Sequence, residues 1–478
     1  MLCACPRMAN SRLSSAPARE SRVPSVGTEF ASSFHQLEKI VAPNPFHLAW
    51  FLQGSSVQAW AEPWTGHIGT TWEKPELFLN MARSLERACF DYILIEDSSY
   101  VGESFGGSTE IYLKNAIAVP RQDPSVVAAL MTQVTSRIGI VPTFGTYAYH
   151  PYLLARLVAT LDQVSGGRIG WNAVTGSSDY AAMNFGMQGM PEHDTRYDMA
   201  DEYMEVVRKL WGSWEPDAII ADRKTGVLVD PSKVHAVNFQ GKYFSTRGPL
   251  NSGVGPQGQP VIAQAGGSPR GRRFAAAHAE TIVVNAKGID AMRAYRADVH
   301  KHMVAQGRDP RTCKVLFLIN PILGETMDEA LERKKKRQCL ANEQVHLRLA
   351  HFGKVTNIDF GKFDIDKPLP EHVTTNGHQL NLEQFRAMAK GRSIRETMAS
   401  FNAVDLSIDL CGTCDSVAAR MGEVMKEVGG DGFLFSMPNV NRRTLAEIED
   451  GLIPALQDRG LVRKAYEHKH FRDNLLAY

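Results

Sequence analysis

The run QAGGSPRGRRFAAAHAE, residues 264–280, holds the residue types that build an anion site from backbone. Gly266 and Gly267 allow a tight turn, Ser268 is a good N-cap, and Pro269 suits the first helical position, where a missing N–H costs nothing. The free N–H groups of such a first turn face a phosphate. Arg270, Arg272 and Arg273 add positive charge, but from a helix starting at Pro269 they cannot all point at one ligand. An ordinary capped helix after a strand explains the same residues equally well.

Other polar residues close apolar runs and compete for a role: Asp97, Thr143, Asn172 and Thr175. In HDTRYDMADEYMEVVRKLW (193–211), His193 and Tyr197 fall at i and i+4, so one helix face could present both to one ligand. In FGTYAYHPYLLAR (144–156), Tyr147, Tyr149 and His150 follow another strand-like run, and a histidine there could move a proton near neutral pH. The structural alternative for His193 and Tyr197 is a satisfied hydrogen bond, and for His150 a contact at the start of the helix opened by Pro151. No HExxH pair, carboxylate cluster or GxxxxGK[ST] occurs, and although GESFG (102–106) and GVGPQG (253–258) have GxSxG and GxGxxG spacing, neither directly joins an apolar run to a helical pattern, which argues against a nucleophilic triad, a metal site, a dinucleotide fold and an NTPase. The residues look arranged to hold a ligand rather than to attack one.

Eight apolar runs could position these groups: 46–52, 91–97, 137–143, 168–175, 260–265, 281–285, 314–323 and 432–437. Helical patterns fill most gaps, at 74–89, 123–135, 150–164, 197–211, 269–279, 288–306, 326–350 and 415–428. Continuous apolar strands alternating with helices predict an α/β (β/α)8 TIM barrel, with a doubly wound open sheet as the alternative. The barrel domain spans 45–478, with long insertions near 212–259 and 326–410 that suit lids or subunit contacts. Residues 1–44, rich in Ser, Arg, Pro and Ala without periodicity, read as a disordered N-terminal tail. The KKKR run at 334–337 reads as a solvated helix face.

A net charge of +1 over 478 residues gives no electrostatic case for nucleic acid or membrane surfaces, and no apolar run approaches a membrane span. Seven unevenly spaced cysteines, among them Cys411 and Cys414 without a second pair, form no disulfide framework or zinc set. A reducing cytoplasm is the expected location.

Four segments in order carry a resemblance: SGGRIGWNAVT (165–175), HDTRYDMADEY (193–203), HAVNFQGKYF (235–244) and QAGGSPRGRRFAA (264–276). They resemble the nitrilotriacetate, dibenzothiophene-sulfone and dimethyl-sulfide monooxygenases among the bacterial-luciferase-like flavin monooxygenases, from about residue 46 to LIPALQDRG at 452–460. The resemblance implies a TIM barrel that uses reduced FMN, delivered by a separate NAD(P)H:FMN oxidoreductase, with O2 as cosubstrate. Oxygen transfer would run through a flavin C4a-(hydro)peroxide, with a homodimer or homotetramer as the assembly. By the motif match, Ser268 and Gly267 would hold the FMN phosphate, His193 and Tyr197 would line the flavin, and Asp97 and Thr143 would contact it from strand ends. His150 matches a catalytic histidine of alkane-oxidising relatives, and His351, in LAHFG, a second pocket histidine. Two departures stand out. Gly412, Thr413 and Cys414 replace the relatives' Gly-Thr-Pro turn. The first strand ends in Gln53, Gly54, Ser55 and Ser56, where alkane oxidisers carry cysteine and histidine, so alkane hydroxylation is not expected.

Trp60, Trp64, Trp72, Phe105, Tyr147 and Tyr149, if they converge, favour a flat apolar substrate such as an aromatic sulfone or halogenated aromatic; packing at the mouth or at a dimer contact is the structural alternative. An aminopolycarboxylate or small organosulfur substrate, a flavin carrier without oxygenase activity, and a metal-dependent barrel hydrolase are the competing readings.

Overall fold

The computed structural model describes residues 45–53, 65–67, 69–402, 405–438 and 440–478. The tail assigned to 1–44, Trp60, Trp64 and residues 54–56 of the first strand's end lie outside the described residues. All eight apolar runs are parallel strands: β1 (His47–Leu52), β2 (Tyr92–Ile95), β3 (Gly139–Gly145), β4 (Gly170–Val174), β5 (Val261–Gln264), β6 (Thr281–Val284), β7 (Lys314–Ile319) and β8 (Gly432–Phe435). Each pairs with the next in sequence, and β8 returns to β1 in register His47↔Gly432, closing a barrel and ruling out the open sheet.

Closure explains the unbroken apolar strands, because alternate residues point into the barrel and out to the helices. Ala49, Tyr92, Leu94, Val141, Val261, Ala263, Val283, Leu316 and Leu434 fill the interior. Outward residues such as Trp50, Ile93, Ile140 and Trp171 join the larger core beneath the helices. One end of the barrel is plugged. Phe471 lies under Gly139, where a Cβ would sit 2.5 Å from the ring, and Asp91 is buried there between His47 Nδ1 (2.9 Å) and Arg463 Nη2 (2.7 Å). The opposite end, where the strands terminate, is left for function.

The helices that matter most are α1 (Glu76–Arg87), α2 (Pro124–Val134), α3 (Pro151–Ser165), α4 (His193–Trp211), α5 (Pro269–His278), α6 (Ile289–Ala305), α7 (Met327–Glu343), α8 (Val345–Thr356), α9 (Gln379–Ala389), α10 (Ile394–Ser400) and α11 (Cys414–Val428). The single helix expected at 326–350 is two, broken at Gln344. The apolar pattern changes there: α7 buries only Ala330 and Ala341, whereas α8 turns Val345, Leu349 and Phe352 into a separate core with Phe360, Phe385 and Phe401. That core makes α8–α10 a packed lid segment. The 212–259 stretch forms two short hairpins, Ile219–Asp222 with Val227–Val229 and Phe239–Gln240 with Ser245–Thr246. Among the described residues no helix is long and apolar enough to cross a membrane.

Candidate active site

The glycine turn after β5 folds as its residue types dictate. Ser268, with extended backbone, caps α5 by accepting from Gly271 N–H (3.0 Å), and Pro269 takes the first helical position. Tyr295 Oη donates to Gly266 O (2.5 Å) and fixes the turn from behind. The Tyr197 hydroxyl stands among Ser268, Gln264 and Thr175, and burial raises its pKa. His193, one helical turn earlier, packs edge-on against Tyr197 at 5.2 Å between ring centres. The i, i+4 pair therefore serves one place, as expected.

Gly271 makes this cradle possible. A Cβ there would lie 2.6 Å from Tyr197 Oη and 3.0 Å from Ser268 Oγ. Gly267 is equally confined, by Leu380 of the lid at 2.4 Å from its hypothetical Cβ. Gln264 Oε1 is buried beside Gly266 without a hydrogen-bond partner, although the Tyr197 hydroxyl is near. Unpaired buried oxygen is costly, so the cradle has the character of an incomplete binding site.

Two of the three arginines are engaged elsewhere. Arg270 pairs with Asp198 (2.9 Å) and Asp201 (2.6 Å), and Asp201 also meets His278 Nε2 (2.8 Å). Arg272 pairs with Asp298 (2.7 Å). The Asp201 network braces α4 against α5 and so holds Tyr197 over Ser268. A phosphate here would meet hydroxyls and backbone N–H groups at a helix N-terminus rather than a guanidinium clamp.

At the strand ends, Asn172 Nδ2 donates to Thr143 Oγ1 (2.9 Å) in the register that pairs the two residues, leaving Asn172 Oδ1 buried and unpartnered. Asp97 follows β2. Burial raises its carboxyl to about 6 against the opposing pull of Arg121, whose Nη1 is 3.8 Å away while Nη2 pairs with Glu96 at 2.8 Å.

The lid closes over this side. Lys354 is buried, donates from Nζ to Ser98 Oγ (2.8 Å) and lies 4.7 Å over the Tyr100 ring. Burial lowers its pKa to about 8, against Glu96. His351, one turn earlier, keeps accessible surface yet sits in enough protein mass that burial, then Lys354, bring its pKa to about 4. The ring is neutral at pH 7.

The structure thus brings Ser268, Gly267, His193 and Tyr197 together, puts Asp97 and Thr143 at the ends of neighbouring strands, and sets His351 on the lid. His150 is different: it is the N-cap of α3, its Nδ1 accepting from Tyr152 N–H (3.2 Å). The neutral ring then carries its proton on Nε2 and can donate from there. Among the described residues, Phe105, Tyr147 and Tyr149 of the aromatic group pack in separate places. Phe105 packs with the lid core and His346, Tyr149 packs on Phe144, and Tyr147 meets Phe185 near Gly176. Sequence reasoning missed Gly271, Arg121, Lys354 and Asp201. Only Gly271 left a local signal, a glycine inside the first turn of a helix where it is intrinsically unfavourable.

Residues 55–432 match the luciferase-like monooxygenase family. The chain is 35% identical to dibenzothiophene-sulfone monooxygenase of Rhodococcus erythropolis over 83% of its length and 89% of that protein. It is 37% identical to dimethyl-sulfide monooxygenase of Hyphomicrobium sulfonivorans, covering 84% of each. Among solved structures it resembles riboflavin lyase, crystallised with modified FMN and riboflavin, with a TM-score of 0.80 and 28% identity over 91% of this chain and 96% of that one.

Proposed function

The chain belongs to the luciferase-like monooxygenase family, and from that premise we propose that it is an FMNH2-dependent monooxygenase that inserts one atom of O2 into a small organic substrate. The observation that carries the reading is the cradle at the barrel mouth, with Gly271 keeping Tyr197 Oη and Ser268 Oγ close at the start of a helix. Hydroxyl donors and helix N–H groups with no obligate cation fit a flavin phosphate. Ser268, Gly267, Tyr197 and His193 would hold that end of FMN, and Asp97, Thr143 and Asn172 the part nearer the strand ends.

Reduced FMN supplies the reaction with O2, and the protein binds, orients and shields. The α8–α10 lid excludes water from the mouth. His150 can donate a proton or hydrogen bond from Nε2, and neutral His351 offers a second donor or acceptor on the lid. A separate NAD(P)H:FMN oxidoreductase supplies the reduced cofactor, as the resemblance implies, and the GVGPQG string at 253–258 opens no helix that could bind a nicotinamide dinucleotide here. For substrate we propose an aromatic sulfone or halogenated aromatic. The sulfone relative supports this choice, while the dispersed aromatic side chains do not add to it.

The test is anaerobic titration with reduced FMN, then mixing with oxygenated buffer while flavin absorbance is followed with and without candidate substrates. The reading requires saturable binding, oxygen-dependent product, and flavin reoxidation whose course changes with substrate. Tight binding with no product from sulfones, haloaromatics, aminopolycarboxylates or small sulfides would instead make the chain a flavin carrier.

A further inference from the structure

The lid reaches back to the glycine turn at one place. Leu380 packs against Gly267 closely enough that a Cβ there would meet it at 2.4 Å. Four residues earlier Asn376 is clipped to the start of α4: Arg196 donates to Asn376 Oδ1 (2.9 Å) and O (2.7 Å), and Asn376 Nδ2 donates to the carbonyls of Met190 and Pro191 (3.1 Å each). Gly377 lies on the Thr356 backbone, where a Cβ would be 2.8 Å from the carbonyl, and His378 N–H donates to Val355 O (3.2 Å). Residue 378 is therefore fixed from both sides.

Its side chain has no structural task. His378 holds the N-cap position of α9 without capping it, unlike His150 on α3, and among the described residues no hydrogen bond reaches its ring. The ring is solvent-accessible. The charged and titratable groups acting on it come from every side: Arg196 and His193 on α4, Lys354 on α8 and Glu96 after β2. Burial, then Arg196 and Lys354, lower its pKa to about 4, so the ring is neutral at pH 7. His193 in turn touches Tyr197, whose hydroxyl reaches Ser268. A fixed imidazole without a partner thus stands beside the cradle that already holds the buried, unpartnered Gln264 Oε1.

We propose that His378 is a ligand of the cofactor phosphate, presented by the lid to the cradle that Ser268 and Tyr197 form on the barrel. The inference rests on the FMN reading above. A phosphate dianion beside the ring opposes the repulsion from Arg196 and Lys354 and favours imidazolium, so binding draws one proton from solution onto the ring with no bond broken. Because the ligand prefers the protonated ring, this contribution is fully present below the free ring's pKa of about 4 and fades as pH rises through the higher pKa of the bound state. The lid then closes on the phosphate-bearing cofactor and less well on riboflavin.

The test titrates oxidised FMN and riboflavin into wild type, H378A, H378Q and S268D near pH 6 and near pH 8, with calorimetry in two buffers of different protonation heat to count protons. H378A is expected to weaken FMN about tenfold or more, the loss of one charge-assisted hydrogen bond, and to leave riboflavin unchanged. H378Q keeps a hydrogen-bonding group without a titrating one, so it recovers much of the affinity but not the proton uptake. The advantage of wild type over H378Q grows as pH falls; the phosphate's own ionisation near pH 6 is common to both proteins and cancels. Equal FMN affinity and equal proton uptake in wild type and both His378 variants, with S268D still impaired, overturns the proposal while leaving the FMN reading standing. If S268D also binds FMN normally, the phosphate assignment itself fails.

Discussion

Replacing Gly271 by alanine tests the cradle at its tightest point. The added Cβ would sit 2.6 Å from Tyr197 Oη, 3.0 Å from Ser268 Oγ and 3.1 Å from Gly266 Cα, so at least the tyrosine hydroxyl must move. Alanine favours a helix over glycine by up to about 1 kcal/mol, while overpacking costs about 1–3 kcal/mol, so the net change in stability is small. Binding has no such compensation. Displacing one hydroxyl from a charged phosphate removes about 1.5–3 kcal/mol, a loss of roughly tenfold to a hundredfold in FMN affinity. Riboflavin, lacking the phosphate, should bind the variant as it binds wild type. Fluorescence titration of both flavins, with thermal unfolding as control, decides the matter. An FMN affinity within about twofold of wild type, in a variant that unfolds normally, would show that the hydroxyl pair does not meet the phosphate.

Ser268→Asp keeps an effective N-cap, so the fold should survive, but it sets a carboxylate against the phosphate and should reduce FMN affinity sharply; unchanged affinity in a binding titration contradicts the assignment. His150→Ala should leave flavin binding intact, cost about 1 kcal/mol of stability through the lost cap, and lower the product formed per reduced flavin consumed; full coupling in that variant removes His150 from the chemistry. Asp97, raised to about 6, binds its proton more tightly folded than unfolded, so it subtracts stability as pH climbs from about 4 to 6. Asp97→Asn should therefore gain up to about 3 kcal/mol over wild type across that window while losing flavin affinity, and parallel melting-temperature profiles against pH would refute the shift. Finally, with Arg270 and Arg272 held by aspartates, FMN affinity should fall less than about threefold between low and high salt, and a steep salt dependence would point to a cation clamp.

What could be read from the sequence follows how local each feature is. All eight strands were legible because a closed parallel sheet buries both faces of every strand, leaving runs such as YILI and TIVV with no polar alternation. The turn at 264–269 was legible because capping and the proline position are short-range chemistry. The break at Gln344 was not, since α8 turns only to supply Phe352 to a core completed by Phe360, Phe385 and Phe401 far along the chain. His150 was ambiguous for a related reason: its capping bond is local, while any role at the mouth depends on residues outside its own segment. Of the lid's functional groups only His351 was named from the sequence, through the resemblance; the contacts that dock the lid were not legible. Arg196 and Asn376 are 180 residues apart, and Lys354 and Ser98 are 256 apart.

These separations also divide the labour of the site. The barrel contributes a floor set by register, with Thr143 beside Asn172, and a cradle set by local capping, with Ser268 over Gly271. Both are rigid because strands or a helix start fix them. The lid instead meets the barrel through polar clips, Arg196 to Asn376 and Lys354 to Ser98, while its own aromatic core keeps it folded. Parting it from the mouth would break these hydrogen bonds, the Leu380 contact with Gly267 and the packing of Ala350 and Leu347 on Tyr112 and Ile117, while its own aromatic core stays folded. A reduced cofactor delivered by another protein needs that kind of access: a wide opening for exchange, then closure that keeps water out during oxygen chemistry. The arginines near the turn fit the same requirement. Held by Asp198, Asp201 and Asp298, Arg270 and Arg272 brace the helices that carry Tyr197 and Ser268 and leave the glycine turn without a guanidinium clamp.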